Sequence, residues 1–194
     1  MRVRILYQAI LLLTLLWQSP TSHAAGQSDA NWCSSQKQSE LRFFVRFEGT
    51  DTPGVFGRFQ VNMDIDTEAL PDSSLEVTIP IASADMNSPD LNEGMLQPEW
   101  FGAVDFPLAE FRSTQIERIA NNDFVALGSL SLKGKEQAVR VPFSWQSDAK
   151  RARIQGSLNL SRIEFGIGLG EWSDDSTIGH AVRVEFDVAL TPCD

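Results

Sequence analysis

The sequence predicts an all-β domain of eight antiparallel strands, which can close as a barrel or stack as two sheets. Apolar residues alternate with polar ones along almost the whole chain after residue 40, and this period of two is typical of strands with one buried face. Short turn-like segments, such as residues 121–123 and 147–150, separate several of these stretches. Turns this short favour antiparallel neighbours.

Eight stretches carry the alternation. The predicted strands are residues 41–47, 59–65, 75–81, 109–119, 124–132, 139–145, 152–160 and 182–190. Residues 50–54 are predicted as a turn because they contain proline and glycine. Residues 85–107 break the alternation, and Leu91 and Met95 indicate one or two short helical turns there. This segment, between the third and fourth predicted strands, could cover one end of a barrel.

The first 24 residues predict a secretory signal peptide. A basic start, MRVR, precedes the apolar run ILYQAILLLTLLW, and Ser22-His23-Ala24 offers a small-x-small cleavage site. The run is shorter than the roughly 20 residues that span a bilayer, which argues against a stable membrane anchor. We therefore expect cleavage after Ala24, a domain over residues 25–194, and a periplasmic or secreted location.

The expected mature chain is strongly acidic. Loss of Arg2 and Arg4 leaves 14 basic residues against the 26 acidic residues of the sequence. Such a surface repels phosphate backbones, so no nucleic-acid partner is expected. About 170 residues is the length of one domain with a substantial core.

Cys33 and Cys193 lie near the two ends of the expected mature chain. In an exported protein an even pair indicates a disulfide that ties the ends together. Two unpaired thiols, or pairing with another chain, are the alternatives. His180 is the single histidine of the expected mature chain, so neither a metal site nor catalytic residues are expected.

Arg162 is the clearest exception to the alternation, because it follows Leu158 and Leu160 on the apolar face of its strand. A buried guanidinium needs several acceptors, usually including a carboxylate. The candidate carboxylates are Glu164, Asp85, Asp105 and Glu171. Arg162 could be a structural pin at the strand end, a contact to a carbonyl or phosphate of a ligand, or a solvent-facing residue on a bulge.

The predicted interior mixes small and large residues. The small ones are Ala109, Ser113, Ala126, Gly128, Ala152 and Gly156, and the large ones include Phe43, Phe47, Phe59 and Phe186. An eight-stranded barrel is either filled by its side chains or holds one small ligand. Close packing of small against large residues is one interpretation. In the other, Ala126, Gly128 and Gly156 face the lumen and leave space for an apolar chain.

Four segments, in order, resemble motifs of the YceI-like proteins. They are GVFGRF at residues 54–59, DFPLAEFRS at 105–113, GSLSLKGK at 128–135 and SRIEFGI at 161–167. The resemblance as a whole covers about residues 39–191, nearly all of the expected mature chain. The chain departs from the family at polar positions near the expected barrel ends: Phe47-Glu48 and Lys133 stand where many members have His, and residues 83–86 read SADM where many have S-x-D-T.

The resemblance implies a lipocalin-like, eight-stranded antiparallel barrel that holds a polyisoprenoid or isoprenoid quinone non-covalently. The implied role is that of a carrier, scavenger or sensor, not an enzyme, with no cofactor besides the bound lipid. The hypothesised lining residues are Phe47, Phe59, Trp100, Phe101, Ala126, Gly128, Gly156, Leu158, Arg162, Phe165 and Phe186. The alternative is a filled barrel that acts as an envelope interaction or structural protein. A cavity of several hundred Å³ would favour the lipid-binding hypothesis.

Overall fold

The computed structural model describes residues 31–193, so the expected signal peptide and its cleavage site lie outside the described residues. The strands are β1 Asn31–Ser34, β2 Glu40–Phe47, β3 Thr50–Phe56, β4 Gln60–Asp64, β5 Ser74–Pro80, β6 Ala84–Asp85, β7 Leu108–Ala120, β8 Asp123–Leu132, β9 Lys135–Ser147, β10 Ala152–Ser161 and β11 Ile178–Pro192. An α-helix, α1, spans Pro89–Met95, and 3-10 turns lie at Gln36–Gln38, Leu70–Asp72, Ile81–Ser83 and Gly170–Trp172. Over this part of the chain, helices that are long and apolar enough to cross a membrane are absent.

The strands form one antiparallel sheet that closes into a ring of eight. The ring runs β1-β4-β5-β7-β8-β9-β10-β11, and pairing of β1 with β11 closes it. Three further strands extend the wall toward one end of the barrel. β2 pairs with β11, β3 with β2 and β6 with β3. The prediction of an all-β, eight-stranded antiparallel barrel is therefore confirmed.

The wall differs from the prediction at its start. Residues 50–54 belong to β3 and not to a turn; the chain reverses just before them, at Glu48 and Gly49, which have φ values of 47° and 80°. Pro53 lies opposite Phe44 of β2 within this hairpin. Proline and glycine are typical of turns. Their presence in this segment is the reason that the sequence pattern predicted a turn where β3 lies. The four-residue β1 was also absent from the prediction.

One end of the barrel is filled by large apolar side chains. Trp32 and Trp145 meet edge to face with ring centroids 5.7 Å apart, and Phe124 and Phe143 stack at 5.6 Å. Met63 is completely inaccessible between them and the neighbouring strands. Burial of such side chains contributes about 1.5–3 kcal/mol each to folding. We call this part of the barrel the filled end, and the end near α1 the covered end.

Cys33 and Cys193 form a disulfide, which confirms the predicted pairing. Their Cα atoms are 5.1 Å apart, and 160 positions separate them in sequence. Cys33 lies in β1 and Cys193 directly follows β11, the two strands that close the ring. The Cys193 amide also donates to the Asn31 carbonyl at 2.8 Å. The bond therefore crosslinks the barrel at its seam.

Candidate binding cavity

A cavity of about 500 Å³ occupies the barrel between its middle and the covered end. Ligand pockets in proteins measure about 300–1,000 Å³. The wall strands contribute apolar side chains to it, among them Leu41, Val61, Leu75, Val77, Phe111, Leu130, Val141, Ile154, Val184 and Val188. The lining does not include the side chains that fill the opposite end, Trp32, Met63, Phe124, Phe143 and Trp145. The barrel is thus half filled and half hollow.

The covering segment supplies one side of the cavity. α1 begins with Pro89 directly after Ser88, and proline suits a first helical position because no partner exists for an amide there. Leu91 and Met95 are four residues apart, so they share one helix face, and both line the cavity. Phe101 follows and lies 6.5 Å from the Phe56 ring of β3.

The mouth of the cavity lies between the β2–β3 hairpin and α1. Phe47 of the hairpin and Leu91 of the helix line the cavity although they are 38% and 42% exposed. Thr52 and Asp90 are the polar lining residues on the same two elements. These four side chains therefore mark the place where the cavity reaches solvent.

Wall glycines lie beneath three of the phenylalanines that line the cavity. Gly54 is the cross-strand partner of Phe43, and Gly156 that of Phe186. A Cβ atom at Gly54 would lie 2.7 Å from Cε1 of Phe43, and one at Gly156 would lie 2.5 Å from Cζ of Phe186. Both distances are too short for real contacts. The missing Cβ lets each ring lie against the wall, which leaves the centre of the lumen free.

Gly128 repeats this arrangement on another part of the wall. A Cβ there would lie 2.8 Å from Cε2 of Phe111 and would collide with the backbone of Arg112. Ala126 is completely buried in the filled end. The expectation that Ala126, Gly128 and Gly156 leave space for an apolar chain is therefore wrong, because neighbouring atoms already occupy that space. Phenylalanine at these positions would overpack the wall.

All eight other hypothesised lining residues do border the cavity. They are Phe47, Phe59, Trp100, Phe101, Leu158, Arg162, Phe165 and Phe186. Whether these side chains touch a ligand stays a prediction. Thr52 and Asp90 at the mouth were not among the predicted lining residues. Thr52 was hidden by the turn-like sequence around Pro53, whereas the position of Asp90 beside the apolar Leu91 at the start of a short helix could have indicated it.

Arg162 is 3% exposed, and backbone carbonyls surround its guanidinium. Its Nε, Nη1 and Nη2 atoms donate six hydrogen bonds at 2.5–3.2 Å. The acceptors are the carbonyls of Gly179, Ile167, Gly168, Trp172, Asp174 and Ile178. A guanidinium has five N–H bonds, so every one of them is engaged. This geometry makes Arg162 a structural pin.

The expected carboxylate partner of Arg162 is not found among the described residues, so this part of the prediction is wrong. Carbonyl dipoles replace it, as charge-assisted hydrogen bonds are strong even to neutral acceptors. Burial lowers the pKa of Arg162 from its ordinary value, and the Asp174 carboxylate opposes this effect. An arginine stays protonated under such conditions. With all N–H groups engaged, Arg162 has none left for a ligand.

The loop pinned by Arg162 forms part of the barrel wall. β9 and β10 pair only over four residue pairs, from Ala152 to Gln155 of β10, so the two strands diverge toward the covered end. The loop after Arg162 lies beside the start of β9: Lys133 donates to the Gly166 carbonyl at 2.8 Å. Phe165 of the loop is 1% exposed and lines the cavity. Arg162 therefore holds this loop, residues 162–177, in the gap between β9 and β10, and we call the loop the plug.

The same loop is attached to the covering segment. The Gly168 amide and the Lys133 ammonium both donate to the Glu99 carbonyl, at 2.8 and 3.1 Å. The rings of Trp100 and Trp172 lie 5.9 Å apart across this junction. Burial lowers the pKa of Lys133, which the Glu99 carboxylate opposes. The plug and the covering segment thus form one connected structure over the cavity.

Comparisons with known proteins agree with this architecture. The family model of the YceI-like domain matches residues 32–190. A UPF0312 protein of Shewanella denitrificans is 27% identical over 120 residues, which are 59% of this chain and 63% of that protein. A UPF0312 protein of Photorhabdus laumondii is 25% identical over 133 residues, 64% of this chain and 69% of that protein. The chain thus aligns with less than two thirds of the Shewanella relative.

Solved structures share the fold over most of their length. BcnA of Burkholderia cenocepacia superposes with a TM-score of 0.78 at 27% identity, over 81% of this chain and 99% of that chain. A polyisoprenoid binding domain from Saccharophagus degradans gives 0.66 at 15% identity, over 84% and 99%. A YceI protein of Campylobacter jejuni gives 0.65 at 18% identity, over 75% and 87%. The last two are likenesses of fold.

Proposed function

Because this chain belongs to the YceI-like domain family, we propose that it binds one isoprenoid-like lipid, a polyisoprenoid or an isoprenoid quinone, inside its barrel. It acts outside the cytoplasm, in the periplasm or after secretion, as a carrier, scavenger or sensor. The observation that carries this proposal is the continuous apolar cavity of about 500 Å³, open at one end. The likeness to a polyisoprenoid binding domain supports the ligand class, and the disulfide supports an oxidising compartment.

The shape and chemistry of the cavity suit a long apolar chain. Each buried CH₂ group contributes about 0.8 kcal/mol, and the lining offers apolar contacts along the whole path from Val188 to Phe47. The summed contribution of all buried CH₂ groups must exceed the cost of lost translational and rotational freedom on binding, about 4–15 kcal/mol. A long chain meets this requirement better than a compact ligand. A filled barrel with a purely structural role would have no cavity of this size, so the cavity favours the carrier.

A binding role, and not a catalytic one, fits the lining. Nucleophilic catalysis needs a nucleophile and a base within hydrogen-bond reach. Over residues 31–193 the lining contains no Ser, Cys or His, and its hydroxyl and carboxylate groups are those of Thr52 and Asp90 at the mouth. The protein therefore needs no chemistry beyond uptake and release of its ligand.

Organic extraction of the purified protein should recover about one isoprenoid lipid per molecule. Mass spectrometry of the extract identifies the lipid, and quantification against protein gives the occupancy. The extracted protein should take up added isoprenoid lipid again. A protein that carries no lipid and takes none up would contradict the proposal.

Filling the cavity should abolish uptake without unfolding the barrel. Val141 of β9 lines the cavity, so Val141→Phe should place its ring in the empty space of the lumen. We expect a several-fold loss of extractable lipid and a change of less than about 1 kcal/mol in the free energy of unfolding. Urea denaturation and lipid quantification on the same preparation provide the measurement.

Gly128→Phe is the matched control for Val141→Phe. It adds a ring to the adjacent strand, where the backbone of Arg112 leaves no room, so it should cost about 1–3 kcal/mol or more. Full lipid uptake by a stable Val141→Phe variant would show that the ligand lies elsewhere.

A further inference from the structure

The polar end of a bound lipid has one suitable position, the mouth of the cavity. The inner part of the cavity, around Leu41, Phe59 and Val188, is lined by hydrocarbon alone. A polar group buried there would lose its hydrogen bonds to water without replacement. The mouth instead offers solvent together with Thr52 and Asp90. A lipid held by this barrel therefore enters tail first.

Among residues 31–193, no free cation lines the mouth to meet an anionic lipid end. Across the described part of the chain, the ionisable side chains in the lining are Asp90 and Arg162, and backbone carbonyls engage all N–H groups of Arg162. The nearby Arg46 is not part of the lining and donates to the Gly49 carbonyl of the hairpin. The charge that a lipid end encounters is thus the Asp90 carboxylate.

We propose that this cavity selects isoprenoid lipids whose polar end is uncharged, a hydroxyl or a carbonyl, over the same chains ending in phosphate, and that Asp90 is the residue that sets this preference. The inference rests on the proposed function. A phosphate at the mouth would be repelled by this carboxylate, whereas a hydroxyl can donate a hydrogen bond to it and a carbonyl carries no net charge for it to repel. Since phosphate-ended and free isoprenoids differ only at this end, the charge of one side chain separates them.

Farnesol and farnesyl monophosphate provide the test, because they share one apolar chain. Delipidated protein is titrated with each, and the fluorescence of Trp100 and Trp172, which line the cavity, reports binding. We expect farnesol to bind the wild type about tenfold or more tightly than farnesyl monophosphate. The difference should decrease at high salt, because salt screens exposed charges.

Asp90→Lys should raise the affinity for farnesyl monophosphate about tenfold and change that for farnesol less than threefold. Glu93→Lys is the matched control: it makes the same charge change on the same exposed helix but does not line the cavity. It should alter neither affinity more than threefold. Equal gains in both variants would assign the effect to net charge and overturn the role of Asp90.

The failure of this inference differs from the failure of the proposed function. If wild-type protein binds both lipids equally, or the phosphate more tightly, the selectivity is wrong while lipid binding stands. If neither lipid binds to delipidated protein, the lipid-binding function and the inference both fall.

Discussion

Replacing Arg162 with leucine should lower the free energy of unfolding by about 3–5 kcal/mol, because removal of one partner from a buried charged network leaves the other groups without a partner. Six carbonyl groups would lose their donor, and the hydrogen bonds to those of Ile167, Gly168 and Ile178 are buried. A buried acceptor without a partner costs about 1–3 kcal/mol. The loop that plugs the gap between β9 and β10 would lose its anchor, so lipid uptake should fall as well. Urea denaturation at constant slope measures the effect.

Arg153→Leu is the matched control for the Arg162 variant. Arg153 lies on β10 and forms an ion pair with Asp187, but its side chain is 44% exposed. Exposed ion pairs contribute about 0–1 kcal/mol, so this change should have little effect. Arg162→Lys should fall between the two, because an ammonium has three N–H groups in place of five. Equal midpoints for Arg162→Leu and wild type would contradict the assignment of Arg162 as a pin.

Removing the disulfide should cost up to about 4–5 kcal/mol, the value of the chain-entropy model for a loop of this length. The crosslink spans 160 positions, so its loss frees almost the whole unfolded chain. In the folded state three residue pairs join β1 to β11, and two more backbone hydrogen bonds flank them, from Cys193 to Asn31 and from Ser35 to Ala189; without the crosslink, the seam would depend on these contacts. We expect the variant with both Cys33 and Cys193 changed to alanine to unfold at a clearly lower urea concentration than the oxidised wild type.

Reduced wild-type protein provides the control for the double alanine variant. Full reduction should shift the wild-type midpoint to that of the variant and leave the variant itself unchanged. If oxidised wild type and the double variant unfold at the same urea concentration, the seam does not depend on the crosslink.

The barrel was predictable from the sequence because its strands have one buried face and one exposed face. Alternation along Leu41 to Phe47, or Val182 to Leu190, indicates a strand whatever its partner is. The pattern carried no such signal for β3, where Pro53 and Gly54 lie in a strand at a position that suits them only because Phe43 packs over the glycine. Propensity describes a residue alone, whereas this strand depends on its neighbour.

The prediction of the site was correct in outline and wrong in one respect. Phe47, Phe101 and Leu158 reach the cavity as expected, since inward alternation and a covering segment place them there. The open space was assigned to the wrong residues, because a small residue facing inward can mark either a void or a close contact. At Gly128 and Gly156 it marks a close contact. The packing of Phe111 and Phe186 against these glycines distinguishes a close contact from a void. The sequence of a single strand does not contain this information about its neighbours.

The crosslink at the seam also changes the topology of the covalent chain. From Cys33 through every wall strand to Cys193 and back across the sulfur atoms, the polypeptide is a closed covalent circle. A single proteolytic cut in any hairpin, such as that between β7 and β8, therefore opens the circle without releasing a fragment. The Cα atoms at the junction are near enough that a short peptide linker could replace the sulfurs. New chain ends could then be placed at the filled end, away from the mouth, by circular permutation.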